Sequence, residues 1–376
     1  MSVSRQTPRL ARIADSLGVS TATVSNALSG KGRVSPELAE RIRATAAELG
    51  YVPSLAGRAL RTGRSGVLGL VLPDIANPLF PQIAQAIENA AAKAGYGVLI
   101  ADSRGQIATQ TQAIERLLER GVDGLVVVPR RGTRIGQLGC PVAVIDSPST
   151  PGNTVSADHW AGGAELGRHL LSLGHRHVLL VGNSPASTVQ NDRIGGIRAG
   201  LGKVVAETIW IEALEDAGGR GCSLGLADAV ARGATAVATV SDLIALRALT
   251  ELHHAGLEVP RDVSVTGFDD LIWSSVITPG LTTVRMDVAT IAELAVNALM
   301  TAIAAPSPAA ALDTETTLAD VAPGERGGPG RSRVERDAVV AAQSKVPMEL
   351  VVRQSTGPAS RSHKKTANLT VGELIQ

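Results

Sequence analysis

The chain has 376 residues, room for two or three domains, and its 44% hydrophobic content is that of a globular protein. No apolar run reaches membrane-spanning length and no signal-peptide core opens the chain, so a cytoplasmic protein that meets no membrane is expected. Net charge is only +1, yet residues 1–64 hold ten Lys/Arg against four acids and the remainder holds 26 against 31, a basic head on a mildly acidic body that points to a polyanion bound by the head.

Residues 9–28, RLARIADSLGVSTATVSNAL, read as two short helices broken at Gly18, a residue that can take the positive φ of a tight turn. Leu10, Ile13, Ala14 and Leu17 recur at helical spacing and form one apolar face. Ser20 stands where an N-cap belongs. In the second helix Val24, Ala27 and Leu28 face inward, whereas Thr21, Ala22, Ser25 and Asn26 lie on the opposite side, small or polar, as a recognition helix presents itself to the major groove. Asn26 can hydrogen-bond a base edge and the Ala22 methyl can touch a thymine methyl. A helical hairpin that simply packs on another element has the same pattern, so the following stretches carry weight. Lys31, Gly32 and Arg33 make a basic loop suited to phosphates. A third helix starts at Ser35 with Pro36 in its first turn, buries Leu38, Ile42, Ala46 and Leu49, and ends at Gly50, with Tyr51 closing the small core.

Residues 53–65, PSLAGRALRTGRS, place Arg58, Arg61 and Arg64 around Leu60. Two helical turns from Ser54 to Leu60 are too short to stand alone. The stretch is either a flexible basic linker or a hinge helix that orders on DNA and drives Leu60 between base pairs in the minor groove.

Residues 9–65 resemble the LacI/GalR family of bacterial transcription regulators, through GVSTATVSNALSGKGRVSPE, ELGY and AGRALRTGRSG. The resemblance implies that Thr21, Ala22 and Asn26 read bases and that Leu60 is the minor-groove wedge. It also implies a homodimer on a pseudo-palindromic double-stranded DNA operator, with affinity set by a small-molecule effector. Ser20, Ser25, Lys31 and Arg33 complete the expected DNA-binding set.

Beyond Gly66 strands alternate with helices: VLGLVL (67–72), a helix around Ile83, Ile87 and Ala90, YGVLIA (96–101), a helix over 107–120, GLVVVP (124–129) and PVAVID (141–146). The alternation restarts at Asp158 with a helix over 160–173, VLLVG (178–182), a helix over 191–201, a strand near 208–211, a helix over 223–232, AVATV (236–240), a helix over 242–255 and VSVTGF (263–268). Such alternation implies parallel sheets with right-handed crossovers. Two α/β lobes resemble periplasmic sugar-binding proteins, in keeping with the LacI-type assignment. The expected fold is therefore a small all-α helix-turn-helix headpiece (1–52), a hinge (53–65) and a two-lobed α/β effector and dimerisation domain (66–304). A disordered insertion (305–345), rich in Ala, Pro, Gly and Arg, a last strand (346–357) and a polar tail (358–376) follow.

Ligands bind at the carboxyl ends of parallel strands, so polar residues just past strand ends are the candidates. Asp74, Asp102 and Asp146 occupy such places in the first lobe, and Arg193, Ser241, Asp242, Asp269 and Asp270 in the second. Carboxylates accept from hydroxyls and an Arg donates to ring or hydroxyl oxygens, which is the chemistry of a sugar. A carboxylate there can equally cap the following helix, and for Asp74 and Asp242 the two readings compete. By resemblance Arg193 (NDRIGGIRAGL) and Asp269 (GFDD) are the strongest effector contacts, and Ser241 stands where the family usually has Asn. Phe80, Trp160 and Trp273 are the aromatics near strand ends, and the expected effector set is Asp74, Phe80, Asp146, Arg193, Ser241, Asp242, Asp269 and Trp273.

Other chemistry is thin. Cys140 and Cys222 stand far apart, and His175 and His177 flank Arg176 with no third ligand, so no metal site is expected. The chain has no Gly-x-Gly-x-x-Gly in strand–helix context, phosphate-binding loop or nucleophile elbow, so neither a cofactor nor an enzyme is expected. The expected function is a ligand-responsive repressor controlled by a sugar-like effector. The competing readings are a sugar-type binding protein without operator function and an α/β enzyme on a sugar or nucleotide.

Overall fold

A computed structural model describes residues 10–29, 32–51, 63–129, 138–146, 153–305 and 344–360. The chain divides into two compact units at Gly66 and Val67.

The first unit has three helices, α1 (Leu10–Leu17), α2 (Thr21–Ser29) and α3 (Pro36–Glu48). Gly18 takes φ +63° and turns the chain between the first two. The Ser20 hydroxyl accepts from Thr23 N at 3.0 Å, and that of Ser35 from Leu38 N at 3.3 Å, so both expected N-caps form. Ile13, Ala14, Val24, Ala27, Ala39, Ile42 and Ala46 make the core. Leu38 and Leu49 pack against it only partly buried, with Ala39 taking the inner position expected of Leu38. Tyr51 also covers this core, its N–H bonded to Ala46 O.

The second unit carries two parallel sheets. One has six strands: β1 (Val67–Leu72), β2 (Gly97–Asp102), β3 (Gly124–Val127), β4 (Val142–Ile145), β5 (Asn153–Ala157) and, arriving from far along the chain, β11 (Ser344–Val346), in spatial order β11-β5-β4-β3-β1-β2. Helices α4 (Leu79–Lys93) and α5 (Ile107–Glu119) are its crossovers. The other sheet has four strands, β6 (His177–Gly182), β7 (Val205–Trp210), β8 (Ala236–Thr239) and β9 (Ser264–Thr266), in order β7-β6-β8-β9. Around it lie α6 (His159–Ser172), α7 (Thr188–Leu201), α8 (Ile211–Gly218), α9 (Leu226–Ala231) and α10 (Asp242–His254). A two-stranded antiparallel ribbon, β10 (Thr283–Met286) with β12 (Met348–Val351), and α11 (Val288–Ala304) complete it. The first four strands of each lobe follow the same order, so the ends of β4 and β9 are equivalent places.

Four features differ from the sequence expectation. β5 is a strand whose short, partly polar sequence gives no alternation signal, and α8 fills what reads as a loop. Ser344 and Lys345, assigned to the insertion, belong to β11. Ordered contacts run past residue 357: Ala359 N bonds Leu173 O and Ser360 Oγ bonds Asp262 O, strapping this segment to the second lobe. The expected helix in the hinge and the rest of the insertion lie outside the described residues.

Helices α6 and α7 pack backbone to backbone. A Cβ on Gly163, Gly167, Gly196 or Gly200 would strike Arg193 O, Ile197 O, Trp160 O or Ala164 O respectively. Only glycines allow this approach, and it brings the start of α6 beside Arg193 on α7.

Candidate functional site

In the head, Thr21, Ala22 and Asn26 are exposed on α2 and Ser25 is half-buried, so the outward face has the expected composition. Ser20 is occupied as the cap of this helix. Arg33 is exposed, and Gly32, at φ +87°, lies against Asn26: a Cβ there would stand 3.1 Å from Asn26 Nδ2. Lys31 and Leu60 lie outside the described residues.

In the second unit a cavity of about 490 Å³ opens between the lobes, at the carboxyl ends of both sheets. Asp74, Phe80 and Asp146 line it from the first lobe, and Arg193, Ser241 and Asp269 from the second. Six of the eight expected effector residues therefore meet in one cavity. Asp74 also has a turn-capping role, its Oδ1 accepting from Ala76 N at 3.0 Å. Ser241 caps α10 through Ile244 N.

Two of the expected residues do not line this cavity. Asp242 is 1% exposed and does not line the cavity; its carboxylate accepts from Leu271 N, Ser274 Oγ and Thr283 Oγ1 at 2.6–2.7 Å. It braces the turn after β9 and the ribbon strand β10, since a buried carboxylate needs such donors more than a ligand does. Burial raises its pKa above the usual carboxylate range, against the pull of those bonds. Trp273 sits 40% exposed on a 3₁₀ turn (Ile272–Ser275) away from the cavity lining. Among the further candidates, Asp102 caps its own turn through Arg104 N, and Asp270 pairs with Arg285 and Arg353 at 2.7 Å. Trp160, half exposed, covers Gly195.

Asp146 and Asp269 hold equivalent ends, after β4 and β9, and both have positive φ, 54° and 107°. Non-glycine residues persist there only where the surroundings demand it. Arg193, 4% exposed, reaches Asp269 Oδ1 at 2.8 Å and donates from Nη1 to Val240 O at 2.7 Å and from Nε to His159 Nδ1 at 3.3 Å. Its guanidinium lies 4.3 Å from the centre of the Phe268 ring. Burial pushes the Asp269 carboxyl up to about 7; the charges of Asp242 and Asp146 add to this, and Arg193 opposes it in part. Burial also works to raise Asp146, but the His159 ring beside it, the Ala157 amide and Arg193 together hold it below the usual range.

Sequence reasoning missed Asn77, Asn183, Ser187 and Gln190, which line the same cavity, and His159 behind it. Asn183 directly follows β6, so the strand-end rule applied there would have found it. Gln190 accepts from Asn183 N and Ser184 N, a contact that exists only once α7 is docked.

The family model for bacterial regulatory proteins of the lacI family matches residues 9–54, and that for a periplasmic binding protein-like domain matches 168–320. Over 350 residues the chain is 34% identical to the HTH-type transcriptional regulator reg1 of Streptomyces lividans, covering 86% of this chain and 100% of that protein. It is 30% identical over 310 residues to a ribose operon repressor of Haemophilus influenzae, covering 79% and 92%. The fold superposes on the lac repressor dimer bound to operator and the anti-inducer ONPF with a TM-score of 0.70 at 23% identity, covering 94% of this chain and 100% of that one.

Proposed function

This chain belongs to the lacI family of bacterial regulatory proteins, and we propose on that footing that it is a repressor whose grip on an operator is set by a sugar in the interlobe cavity. As a member of that family it is a DNA-binding transcriptional regulator. Its work is binding rather than turnover, carried out in the cytoplasm on nucleoid DNA. Among the described residues no helix is long and apolar enough to cross a membrane.

The observation that carries the reading is the pairing, in one chain, of an exposed small and polar face on α2 with a cavity walled by Asp74, Asp146, Arg193 and Asp269. Thr21, Ala22, Ser25 and Asn26 read base edges, while Lys31 and Arg33 hold phosphates. The basic segment 53–65 is the hinge, with Leu60 as its wedge. The ribose operon repressor, by its name, acts on a sugar operon, which favours a sugar for the cavity here. The lac repressor structure is a dimer on operator, and a homodimer of this chain would read two half-sites of a pseudo-palindrome. Leu99 and Ile100, 37% and 48% exposed on β2, the edge strand among the described residues, offer an apolar edge for the second copy to cover.

The test has two arms. Selection from random duplexes should yield a pseudo-palindrome whose binding falls steeply with salt, as release of several phosphate counterions requires. A thermal-shift screen of maltose, cellobiose, ribose, their phosphate esters and purines should find a ligand that raises the melting temperature and changes affinity for that duplex. A ligand that binds without any duplex preference would leave a plain small-molecule binding protein instead. Leu60→Ala should weaken specific binding and abolish DNA bending while non-specific binding stays near normal; an unaltered operator affinity would remove the wedge.

A further inference from the structure

His159 stands behind the cavity, between two side chains that line it from opposite lobes. It is the second residue after β5, where the chain first leaves the six-stranded sheet, and it opens α6 on the other lobe. It is 4% exposed. Its Nδ1 accepts from Arg193 Nε at 3.3 Å, so in the neutral ring the proton is on Nε2. That nitrogen faces Asp146 Oδ1 at 3.3 Å without completing a hydrogen bond. Asp146 Oδ1 meanwhile accepts from Ala157 N at 2.8 Å. Arg193 is held at its other end by Val240 O and Asp269. One imidazole thus stands between the carboxylate of one lobe and the guanidinium of the other, with one arm made and one arm open.

We propose that His159 is a positioning residue of the effector cavity. It orients Arg193 through Nδ1, and a small movement of the lobes over a ligand aligns its Nε2–H with Asp146 Oδ1, already 3.3 Å away. A buried ring N–H short of a bond is unfavourable, and a slight realignment of the lobes relieves it, so occupancy of the cavity and the lobe angle become linked. Arg193 and Asp146 touch the ligand; His159 sets where they stand. This rests on the cavity being the effector site.

The probe is whichever of maltose, cellobiose and ribose gives the largest thermal shift with the full chain, titrated calorimetrically. His159→Leu should weaken its binding about tenfold or more, the scale of one lost hydrogen bond to a charged group. His159→Asn, whose Oδ1 takes the place of Nδ1, should recover most of that loss, which a merely space-filling role would not allow. In an Arg193→Lys background, which keeps the charge but lacks the Nε–H, His159→Leu should cost little more. Operator binding without sugar reports whether each variant is folded. The proposal is overturned by a folded His159→Leu protein that binds within twofold of wild type, by an Asn variant no better than the Leu variant, or by a full additional loss in the Arg193→Lys background. A wild type that binds operator but none of the sugars, phosphate esters and purines of the thermal-shift screen would take down the effector reading, and this one with it.

Discussion

Asp269 and Asp242 show how far a strand-end rule reaches. Both follow strands of the same sheet and both are acidic, yet one lines the cavity and the other is sealed under three donors. The sequence marks the place after a strand but not which way the side chain turns. Ionisation of Asp269 is unfavourable in the folded protein, its pKa standing at about 7 against an ordinary 3.8. Between these values the native state binds more protons than the unfolded one, so this residue lowers stability as pH rises through that window and by a constant amount above it. Asp269→Asn should therefore lose less melting temperature than wild type between pH 4 and pH 8 without ligand; a difference from wild type that ignores pH would contradict the assignment. The same substitution should weaken sugar binding. His175 works in the other direction. Burial holds its pKa at about 4, below 6.5, while its Nδ1 meets Thr235 Oγ1 and its Nε2 meets Gly357 O. It contributes stability that is present above pH 6.5 and is lost as pH falls towards 4, so His175→Gln should flatten the acid limb of a melting-temperature profile.

Among the elements, the caps and turns of the head were legible because they are local. Gly18, Ser20, Ser35 and Gly50 act within a few residues of themselves, and each sits as its own sequence neighbourhood requires. Ser35→Ala should cost about 1 kcal/mol of head stability in chemical denaturation. Gly32 is less obvious, since its role is to leave room for Asn26. Gly32→Ala should disturb base reading in the same way as Asn26→Ala, relaxing preference at one position of each half-site in a selection experiment. The glycines of α6 and α7 escaped notice because their reason lies in the partner helix. Gly196→Ala or Gly200→Ala should each destabilise the second unit by about 1–3 kcal/mol, as overpacking does. They should also weaken sugar binding by pushing the start of α6 away from Arg193; a loss of stability with unchanged affinity would separate the seam from the site.

The two-lobed unit depends on chain segments that meet from far apart. β11 completes a sheet begun at Val67, and β12 pairs with β10 to form the ribbon through which Arg353 and Arg285 both reach Asp270. Asp270 adjoins the cavity residue Asp269, so the cavity wall and the ribbon share one backbone segment. If a sugar sets operator affinity as proposed, operator must impose the same factor on sugar affinity, because the coupling free energy belongs to the pair. Titrating sugar with and without a saturating duplex should yield the same ratio as titrating duplex with and without sugar; unequal ratios at equilibrium would rule out a single two-state coupling.

Periodicity, capping residues and charge asymmetry are properties of short windows of chain; they carry the three helices of the head, the alternation of strands and helices and the strand ends, while the reading of the head as helix-turn-helix and the choice of Arg193 and Asp269 rest on the family resemblance. Side-chain direction, the seam of glycines, the late strand β11 and the imidazole between Asp146 and Arg193 depend on groups tens to hundreds of residues apart. Their free energies exist only once those groups are packed together, so folding in three dimensions had to settle them.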